Sequence, residues 1–319
     1  MNSKNTIYLL AVLFVISISC DKGTNELTKY PFNPFDHEAQ LQNDQDSILL
    51  YLDTHYFNTN DNVIWSIDND EEGSLSPENR VPLNEDPKLD SIQGIETDGT
   101  LLDYKMYYYI FKEGIDNGNV GHASPSRVDS VLVTYSAMLL DSTVFDVIDD
   151  EPIWLPLYNT IQGFSIGLTK LKKGTSTIAG NENVYNGSGE GYLIFPSGLG
   201  YAGYVRMGIP SNSPLIFKVT LDDVKLIDTD LDLVPTKFEL SFDDGLNIIA
   251  DDFDGDGIED YRDEDDDNDF STTRDEVLDE FTARDARGNI DFPYDEDGRI
   301  EGVNGGLPNY KNSDIHLED

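Results

Sequence analysis

The sequence predicts the α+β fold class for the middle of the chain, as an antiparallel sheet that curls around one short helix. A series of strand patterns lies there, of which 102–112 and 215–227 are the outermost. One helical stripe interrupts them within 160–173, and its apolar members are Ile161, Phe164, Leu168 and Leu171. Because the stripe occupies one side of the helix, it must pack against the sheet, for which we expect about five strands.

The strand, turn and strand at 131–146 is the element around which this region is organised. Its first half alternates apolar residues in two registers, which is typical of a strand buried on both faces. Residues 141–143 follow with the short polar side chains that favour turns. Val144 and Phe145 then resume the apolar pattern directly before a carboxylate, Asp146.

This segment resembles the signature of FKBP-type peptidyl-prolyl cis-trans isomerases, which reads V-x-V-x-Y-x-x-x-L-x-x-G-x-x-F-D. Ser142 stands where that family has a turn glycine. Further fragments resemble the family's motifs in the same order, and they lie at 152–157, 161–168, 192–196, 199–201, 208–210 and 214–219. The resemblance implies an FKBP-type domain at 99–228 that isomerises prolyl peptide bonds.

The resemblance also implies an apolar, aromatic-lined pocket. Its site residues are Tyr135, Phe145, Asp146, Ile153, Ile161, Phe164, Tyr201, Ile209 and Phe217. Phe164 replaces the tryptophan commonest at the floor of the pocket, and Ile153 replaces a common phenylalanine. Asp146 is expected beside the twisted substrate carbonyl, where it interacts with that carbonyl or orients Tyr135. The Tyr201 hydroxyl and the Ile161 amide are expected to donate to the substrate.

The chemistry of such a pocket needs no cofactor. Rotation about a prolyl peptide bond faces a barrier of about 18 to 20 kcal/mol, and a site that binds the twisted amide best lowers it. We therefore expect no cofactor for catalysis and proline-containing unfolded or exported polypeptides as partners. Two other interpretations stay open. One is a non-catalytic module that holds a proline-containing segment for binding or assembly, and the other is a calcium-dependent spacer with a vestigial pocket.

Charge narrows the range of partners. The chain has 62 acidic and 21 basic residues and a formal net charge of −41. Twelve of the twenty residues at 251–270 are acidic, and only Arg262 offsets them. Because this charge repels phosphate backbones, it argues against binding of nucleic acid and makes cations the natural partners.

The acidic run fits two consecutive twelve-residue calcium loops, with Gly257 at the sharp turn of the first and Phe270 at the glycine position of the second. The first set of ligands is Asp252, Asp254, Asp256, Ile258 (through its carbonyl), Asp260 and Asp263. The second set is Asp265, Asp267, Asp269, Ser271 and Glu276. No amphipathic helix pattern flanks either loop, so the segment resembles a thrombospondin type 3 calcium repeat, and Ca²⁺ would be structural. A solvated or disordered acidic run is the alternative.

The first residues have the pattern of a targeting segment. Lys4 precedes an apolar run, 7–18, that is too short to span a bilayer, and the only cysteine, Cys20, follows. The segment resembles a bacterial lipoprotein signal, which implies cleavage after residue 19 and lipidation of Cys20. We therefore expect a lipid anchor in a bacterial membrane of the cell envelope, facing the periplasm or the cell surface. An ordinary secretory signal is the alternative.

The predicted organisation has seven parts. These are a signal peptide (1–19), a lipidated N-terminus and tether (20–43), an N-terminal helix and loop segment (44–98), the FKBP-type domain (99–228), a linker (229–250), the acidic calcium-binding segment (251–280) and a polar tail (281–319). The N-terminal helix is predicted from Asp46 for about three turns, with Asp44 or Asp46 as its cap. Residues 71–100 are predicted as loop, and 175–191 as an inserted loop.

Overall fold

The computed structural model describes residues 37–69, 71, 73–97, 100–115, 124–179, 182–243, 247–282, 292–293, 300–302 and 307–312. The predicted signal peptide, the lipidation of Cys20 and most of the predicted tether lie outside these residues. Among the helices of the described part, none is long and apolar enough to cross a membrane.

The described chain is a mixed α and β structure with few helices and antiparallel sheets. Its α-helices are α1 (His37–Thr54), α2 (Gln162–Leu168) and α3 (Thr273–Glu280). Its strands are β1 (His55–Asn58), β2 (Val63–Ser66), β3 (Leu89–Thr97), β4 (Thr100–Lys112), β5 (Ser130–Leu139), β6 (Val144–Pro156), β7 (Thr175–Ala179), β8 (Glu182–Asn186), β9 (Gly189–Phe195), β10 (Leu215–Lys225), β11 (Leu240–Asp243) and β12 (Asn247–Ala250).

The main sheet has six strands in the order β3-β4-β9-β10-β5-β6, and every neighbouring pair is antiparallel. Strands at 102–112, 131–139 and 215–225 are confirmed. The prediction of loop throughout 71–100 is wrong, because β3 lies there and pairs with β4. A bulge between Ile92 and Ile95 breaks the alternation of its few aliphatic residues, so the strand pattern is weak in the sequence.

One face of the sheet packs against α2. Val133, Leu193 and Phe217 lie in this core with Phe164 and Leu168 of the helix. The stripe predicted for the helix is confirmed as apolar packing, but the helix is shorter than 160–173. It begins after an extended residue, Ile161, and gives way to single turns after Leu168.

The opposite face of the sheet packs against α1. Tyr107 and Tyr109 point to this second core, whereas Tyr108 packs in the first, as strand alternation requires. The N-terminal helix begins nine residues earlier than the predicted Asp46 and is correspondingly longer. Asp44 therefore lies inside the helix and does not cap it. Its buried carboxylate accepts from the amide and hydroxyl of Ser197, at 2.8 and 2.6 Å, and so joins α1 to the turn that follows β9.

The region after β10 has a third apolar core. Val234, Val277 and Phe281 form it together with three side chains of the predicted polar tail, namely Phe292, Ile300 and Tyr310. The predicted linker at 229–250 contributes the β11–β12 hairpin. Although the sequence has no amphipathic helix pattern beside the acidic loops, a short helix begins within the second loop, before its last predicted ligand, Glu276. This is α3, which Thr272 caps by accepting from the Asp275 amide.

The predicted inserted loop at 175–191 is a hairpin. β7 and β8 pair along their whole lengths and form a separate two-stranded sheet. Its side chains are largely solvent-exposed, and Ile178 is 80% exposed. Few apolar residues alternate here, so the sequence offers little strand signal.

The turn between β5 and β6 holds a strained residue. Ser142 has a φ of +65°, in the left-handed region where a Cβ is unfavourable. We expect Ser142→Gly to stabilise the protein by up to about 1 kcal/mol, because glycine adopts this φ without steric cost. Urea unfolding measures the change. Ser211→Gly is the control, because exposed Ser211 does not have a positive φ; a gain there as large as at Ser142 would contradict the explanation.

Two glycines let α2 approach the sheet closely. A Cβ added at Gly163 would lie 2.4 Å from the ring of buried Phe195, whereas one at Gly167 would meet the terminal methyl groups of Leu193 at 2.6 Å. The phenyl ring has less room to move than the two methyl groups. We expect Gly163→Ala to lower the free energy of unfolding by about 1 to 3 kcal/mol, despite the better helix propensity of alanine. Gly167→Ala should cost less, and equal losses in thermal denaturation would contradict this packing.

Candidate functional site

Four aromatic rings from four different elements converge above α2. Phe217 of β10 lies at their centre, with ring centroids 5.1 Å from Phe164, 5.9 Å from Tyr135 and 6.1 Å from Phe145. Tyr135 and Phe164 are also 5.9 Å apart, edge to face. Separations of this size give favourable aromatic contacts. We call these four rings the aromatic cluster.

Burial within this site is graded from base to rim. Phe164, Ile209 and Phe217 are only 3%, 4% and 6% exposed, and they belong to the core under the sheet. The partly exposed residues that pack against that core are Tyr135, Phe145, Ile161 and Tyr201. These partly exposed residues therefore present apolar surface to solvent. That these side chains enclose a proline-sized hollow stays a prediction.

Asp146 and Tyr135 form the polar pair of the site. They lie on adjacent strands, and the Tyr135 hydroxyl donates to Asp146 Oδ2 at 2.8 Å. Burial and then the neighbouring carboxylate raise the pKa of Tyr135, so its hydroxyl stays protonated at neutral pH. The pair holds the ring against Phe164 and Phe217. A charged oxygen thus lies at the edge of an apolar surface, where it can interact with the dipole of a bound amide.

Ile153 differs from the other predicted pocket residues. It lies opposite Val133 in the β5–β6 pair and is half-buried. It does not belong to the set of side chains that pack against the core under the sheet. The structure thus brings together the other predicted pocket side chains and leaves Ile153 along the strand pair.

The loop between β9 and β10 forms a rim that sequence reasoning did not identify. The Arg206 guanidinium lies 5.7 Å from the ring centroids of both Tyr201 and Tyr204. A Cβ at Gly208 would lie 3.2 Å from that of Phe145, so the loop passes directly beside the cluster. The rim exposes Tyr204, Val205 and Met207, the last at 97%. In the sequence, the apolar residues on either side of Arg206 could have indicated that this loop forms an exposed apolar surface.

The first acidic loop brings three of its predicted ligands together. Carboxylate oxygens of Asp252, Asp254 and Asp256 lie within 4.8 Å of one another. Gly257 has a φ of +96°, as its predicted turn position requires, and its amide donates to Asp252. Asp260 is not in this group. Its carboxylate instead accepts from the Phe253 amide and from the ammonium group of Lys311, which follows Tyr310 of the third core.

The remaining predicted residues of the first loop are near it. Burial raises the pKa of Asp263, and the charges of Asp256 and Asp254 contribute to the same shift. Asp263 therefore lies close enough to sense both carboxylates. The amide of Ile258 donates to Asp256, which leaves the Ile258 carbonyl at the seventh position of the loop.

The second acidic loop repeats this backbone geometry. Oxygens of Asp265, Asp267 and Asp269 lie within 4.8 Å of one another. Phe270 has a φ of +77°, at the same loop position as Gly257, and its amide donates to Asp265 as that of Gly257 does to Asp252. A phenylalanine is thus held in a conformation that favours glycine, with its ring 96% exposed.

Ser271 and Glu276 complete the second loop. The Ser271 amide donates to Asp269 at 2.7 Å. Glu276 is 1% exposed, and its Oε1 has no hydrogen-bond partner among the described residues. Burial, reinforced by the charges of Asp267 and Asp269, raises the pKa of Glu276 to about 8. A divalent cation would relieve this repulsion, and the donor set is one of hard oxygens that suits Ca²⁺.

A third acidic loop was not identified from the sequence. Carboxylate oxygens of Asp228, Asp230 and Asp232 lie within 4.8 Å of one another, in the segment predicted as a linker. Leu231 and Leu233 have φ values of +73° and +86°, at the positions equivalent to Gly255 and Gly257 of the first loop. The signal was the spacing D-x-D-x-D with a glutamate, Glu239, at the twelfth position.

Comparisons with known proteins give matches for the central region of the chain. Residues 121–222 match the family described as FKBP-type peptidyl-prolyl cis-trans isomerase. FkpA of Escherichia coli, a protein of that description, is 33% identical over 135 residues, which are 42% of this chain and 41% of the relative. FkpA of Buchnera aphidicola is 33% identical over 115 residues, which are 35% of this chain and 40% of that protein. The chain thus spans about two fifths of the length of these curated relatives.

Solved structures give similar matches. The crystal structure of FkpA from Escherichia coli is 30% identical, with a TM-score of 0.30, and covers 41% of this chain and 52% of that chain. A peptidyl-prolyl cis-trans isomerase from Pseudomonas syringae is 17% identical, with a TM-score of 0.35, and covers 59% and 96%.

The central region, residues 121–222, is therefore similar to the FKBP-type family, on the evidence of the family match and the curated relatives. The enzyme class that these matches support is FKBP-type peptidyl-prolyl cis-trans isomerase.

Proposed function

We propose that the protein isomerises prolyl peptide bonds in exported proteins of the cell envelope and so assists their folding. One observation carries the proposal. In the region that matches the family, the Tyr135–Asp146 pair lies at the solvent-facing edge of the aromatic cluster. An apolar surface edged by one carboxylate has the chemical character that non-covalent prolyl isomerisation needs.

The proposed catalysis works by preferential binding of the twisted amide. A prolyl ring packed on Phe164 and Phe217 leaves water, and loss of hydration at the amide favours its non-planar form. Asp146 acts electrostatically on the amide dipole, directly or by holding Tyr135. Tyr201 donates a hydrogen bond to the peptide. No bond to the protein forms, so binding energy alone must lower the barrier.

The proposed substrates are extended proline-containing segments of unfolded proteins. Exposed Tyr204, Val205 and Met207 border the aromatic cluster and offer apolar contact to residues that flank the proline. Met207 suits varied partners because its side chain is flexible and polarisable. A lipid anchor at Cys20 would keep this surface near a bacterial membrane, where exported chains emerge.

We further propose that Ca²⁺ binds the first and second acidic loops and has a structural role. The carboxylates gathered in each loop support this proposal, because clustered carboxylates repel one another without a cation. Extracellular Ca²⁺ at millimolar concentration would occupy even sites with a Kd of about 10⁻⁴ to 10⁻³ M.

A protease-coupled assay with a prolyl peptide tests the proposed activity on the purified protein. We expect isomerisation well above the uncatalysed rate, and the reaction should be inhibited by an excess of unfolded proline-rich polypeptide. Binding of that polypeptide without any acceleration would instead favour the non-catalytic proline-binding module. If the protein neither binds the polypeptide nor accelerates isomerisation, the result would favour the spacer interpretation.

A further inference from the structure

Five carboxylates meet at the junction between the FKBP-type domain and the acidic segment. Asp228, Asp230 and Asp232 form one group, and Asp232, Glu239 and Asp266 form another, each with oxygens within 4.8 Å of one another. The two groups share Asp232. We call these five residues the junction site. Four belong to the third acidic loop, and Asp266 comes from the second.

Glu239 provides the independent sign that a ligand belongs here. Its side chain is 0% exposed, and neither carboxylate oxygen has a hydrogen-bond partner among the described residues. Asp232 Oδ2 is equally buried and unpartnered in that part of the chain. A buried carboxylate without donors costs several kcal/mol, so native proteins pair such groups or place them on metals.

Two described basic side chains close to the junction site, Lys311 and Arg274, have other partners. Lys311 is close enough to influence the pKa of Glu239 and Asp266, but its ammonium group binds Asp260 at 2.8 Å. Arg274 donates to the Leu231 carbonyl at 2.6 Å. Burial and neighbouring acids raise the pKa of Glu239 to about 10. The carboxylates thus lack a countercharge from these two basic groups.

We propose that the junction site binds a divalent cation, Ca²⁺, through Asp228, Asp230, Asp232, Glu239 and Asp266. The ligands are hard oxygens, and a set of several carboxylates suits Ca²⁺ better than Mg²⁺, which retains much of its water. This inference does not depend on isomerase activity.

The position of the junction site indicates a structural role for the cation. Asp228 follows the central strand β10 by three residues, whereas Asp266 lies in the acidic segment. Val234, which is 0% exposed, follows Asp232 and packs in the third core. Bound Ca²⁺ therefore links the FKBP-type domain to the acidic segment and stabilises the core between them.

Ion counting on the whole protein tests the proposal. In equilibrium dialysis against Ca²⁺ at pH 7.5, we expect Glu239→Gln and Asp266→Asn each to bind one ion fewer than the unaltered protein. Glu259→Gln is the matched control, because Glu259 is only half-buried, pairs with Arg262 and belongs to none of the carboxylate groups found among the described residues. Counts and affinities equal to the control for both junction variants would overturn the site.

A spectroscopic readout keeps the test decisive even if the junction variants fold poorly. The buried ring of Tyr310 lies close enough to Asp266 and Glu239 for their charges to raise its pKa. Tyrosine sensitises the emission of Tb³⁺, which substitutes for Ca²⁺. We expect Tyr310→Phe, which leaves all five ligands in place, to lower sensitised Tb³⁺ emission while the ion count stays unchanged. Unchanged emission would count against the site, and Ca²⁺ should quench the signal by competition.

Discussion

Replacement of Asp146 by asparagine is expected to lower kcat/KM for prolyl isomerisation by about ten- to a hundredfold, equivalent to about 1.4 to 2.7 kcal/mol. The substitution keeps the shape of the side chain but removes the charge that accepts from Tyr135 at 2.8 Å. The amide oxygen of asparagine can still accept from the tyrosine hydroxyl, but this uncharged hydrogen bond is weaker, and the amide dipole of the substrate loses a nearby charge. The protease-coupled assay measures the loss.

Asp150→Asn is the matched control for this prediction, because Asp150 is an exposed carboxylate on the same strand, β6. It should retain full activity. Both variants should melt within a few degrees of the unaltered protein, since neither position is buried. An unchanged kcat/KM for the Asp146→Asn variant would contradict the prediction. It would show that isomerisation does not require the charge of the Tyr135–Asp146 pair.

Removal of Ca²⁺ is expected to destabilise the region after β10 strongly. Each site at a hundredfold excess of Ca²⁺ over Kd contributes about 2.7 kcal/mol, and chelation removes this contribution while restoring repulsion between clustered carboxylates. Among the described residues, six buried apolar side chains form the third core that opposes that repulsion. Limited trypsin digestion at Arg262 and Arg274, with and without EGTA, measures the change.

The FKBP-type domain supplies the internal control for calcium removal. Its aromatic cluster belongs to a different core from Val234 and Phe281, so isomerase activity should survive chelation. Added Ca²⁺ should restore protease resistance, whereas Mg²⁺ at the same concentration should restore it less well. Equal cleavage with and without EGTA would contradict a structural role for Ca²⁺ and would favour the interpretation of the acidic run as a solvated segment.

Much of the central domain could be predicted because strand alternation and the helical stripe are local patterns. Strand alternation predicts on which face of the sheet the side chains of Tyr108 and Phe217 lie. β3 could not be predicted, because a bulge interrupts its pattern and its partner β4 supplies the stabilisation. The hairpin of β7 and β8 was missed since its exposed residues carry no apolar periodicity.

The candidate sites divide in the same way. Motif order indicated Tyr135, Asp146, Phe164 and Phe217, and the structure places all four together. The third acidic loop was overlooked because Leu233 occupies the position at which glycine marks a calcium loop. Its backbone φ of +86° became visible only in the folded chain.

By itself the sequence determined the FKBP-type region, the strands and helix that build it, and the acidic character of the C-terminal part. The FKBP-type region rests on the resemblance and order of its motifs, whereas the strands, the helix and the acidic character rest on periodicity and composition. All of these are local properties of the sequence and do not depend on the fold. Tertiary structure alone decided that α1 covers the second face of the sheet and that Asp266 meets Glu239. Such contacts join residues far apart in the chain, and they exist only because packing brings separate surfaces together.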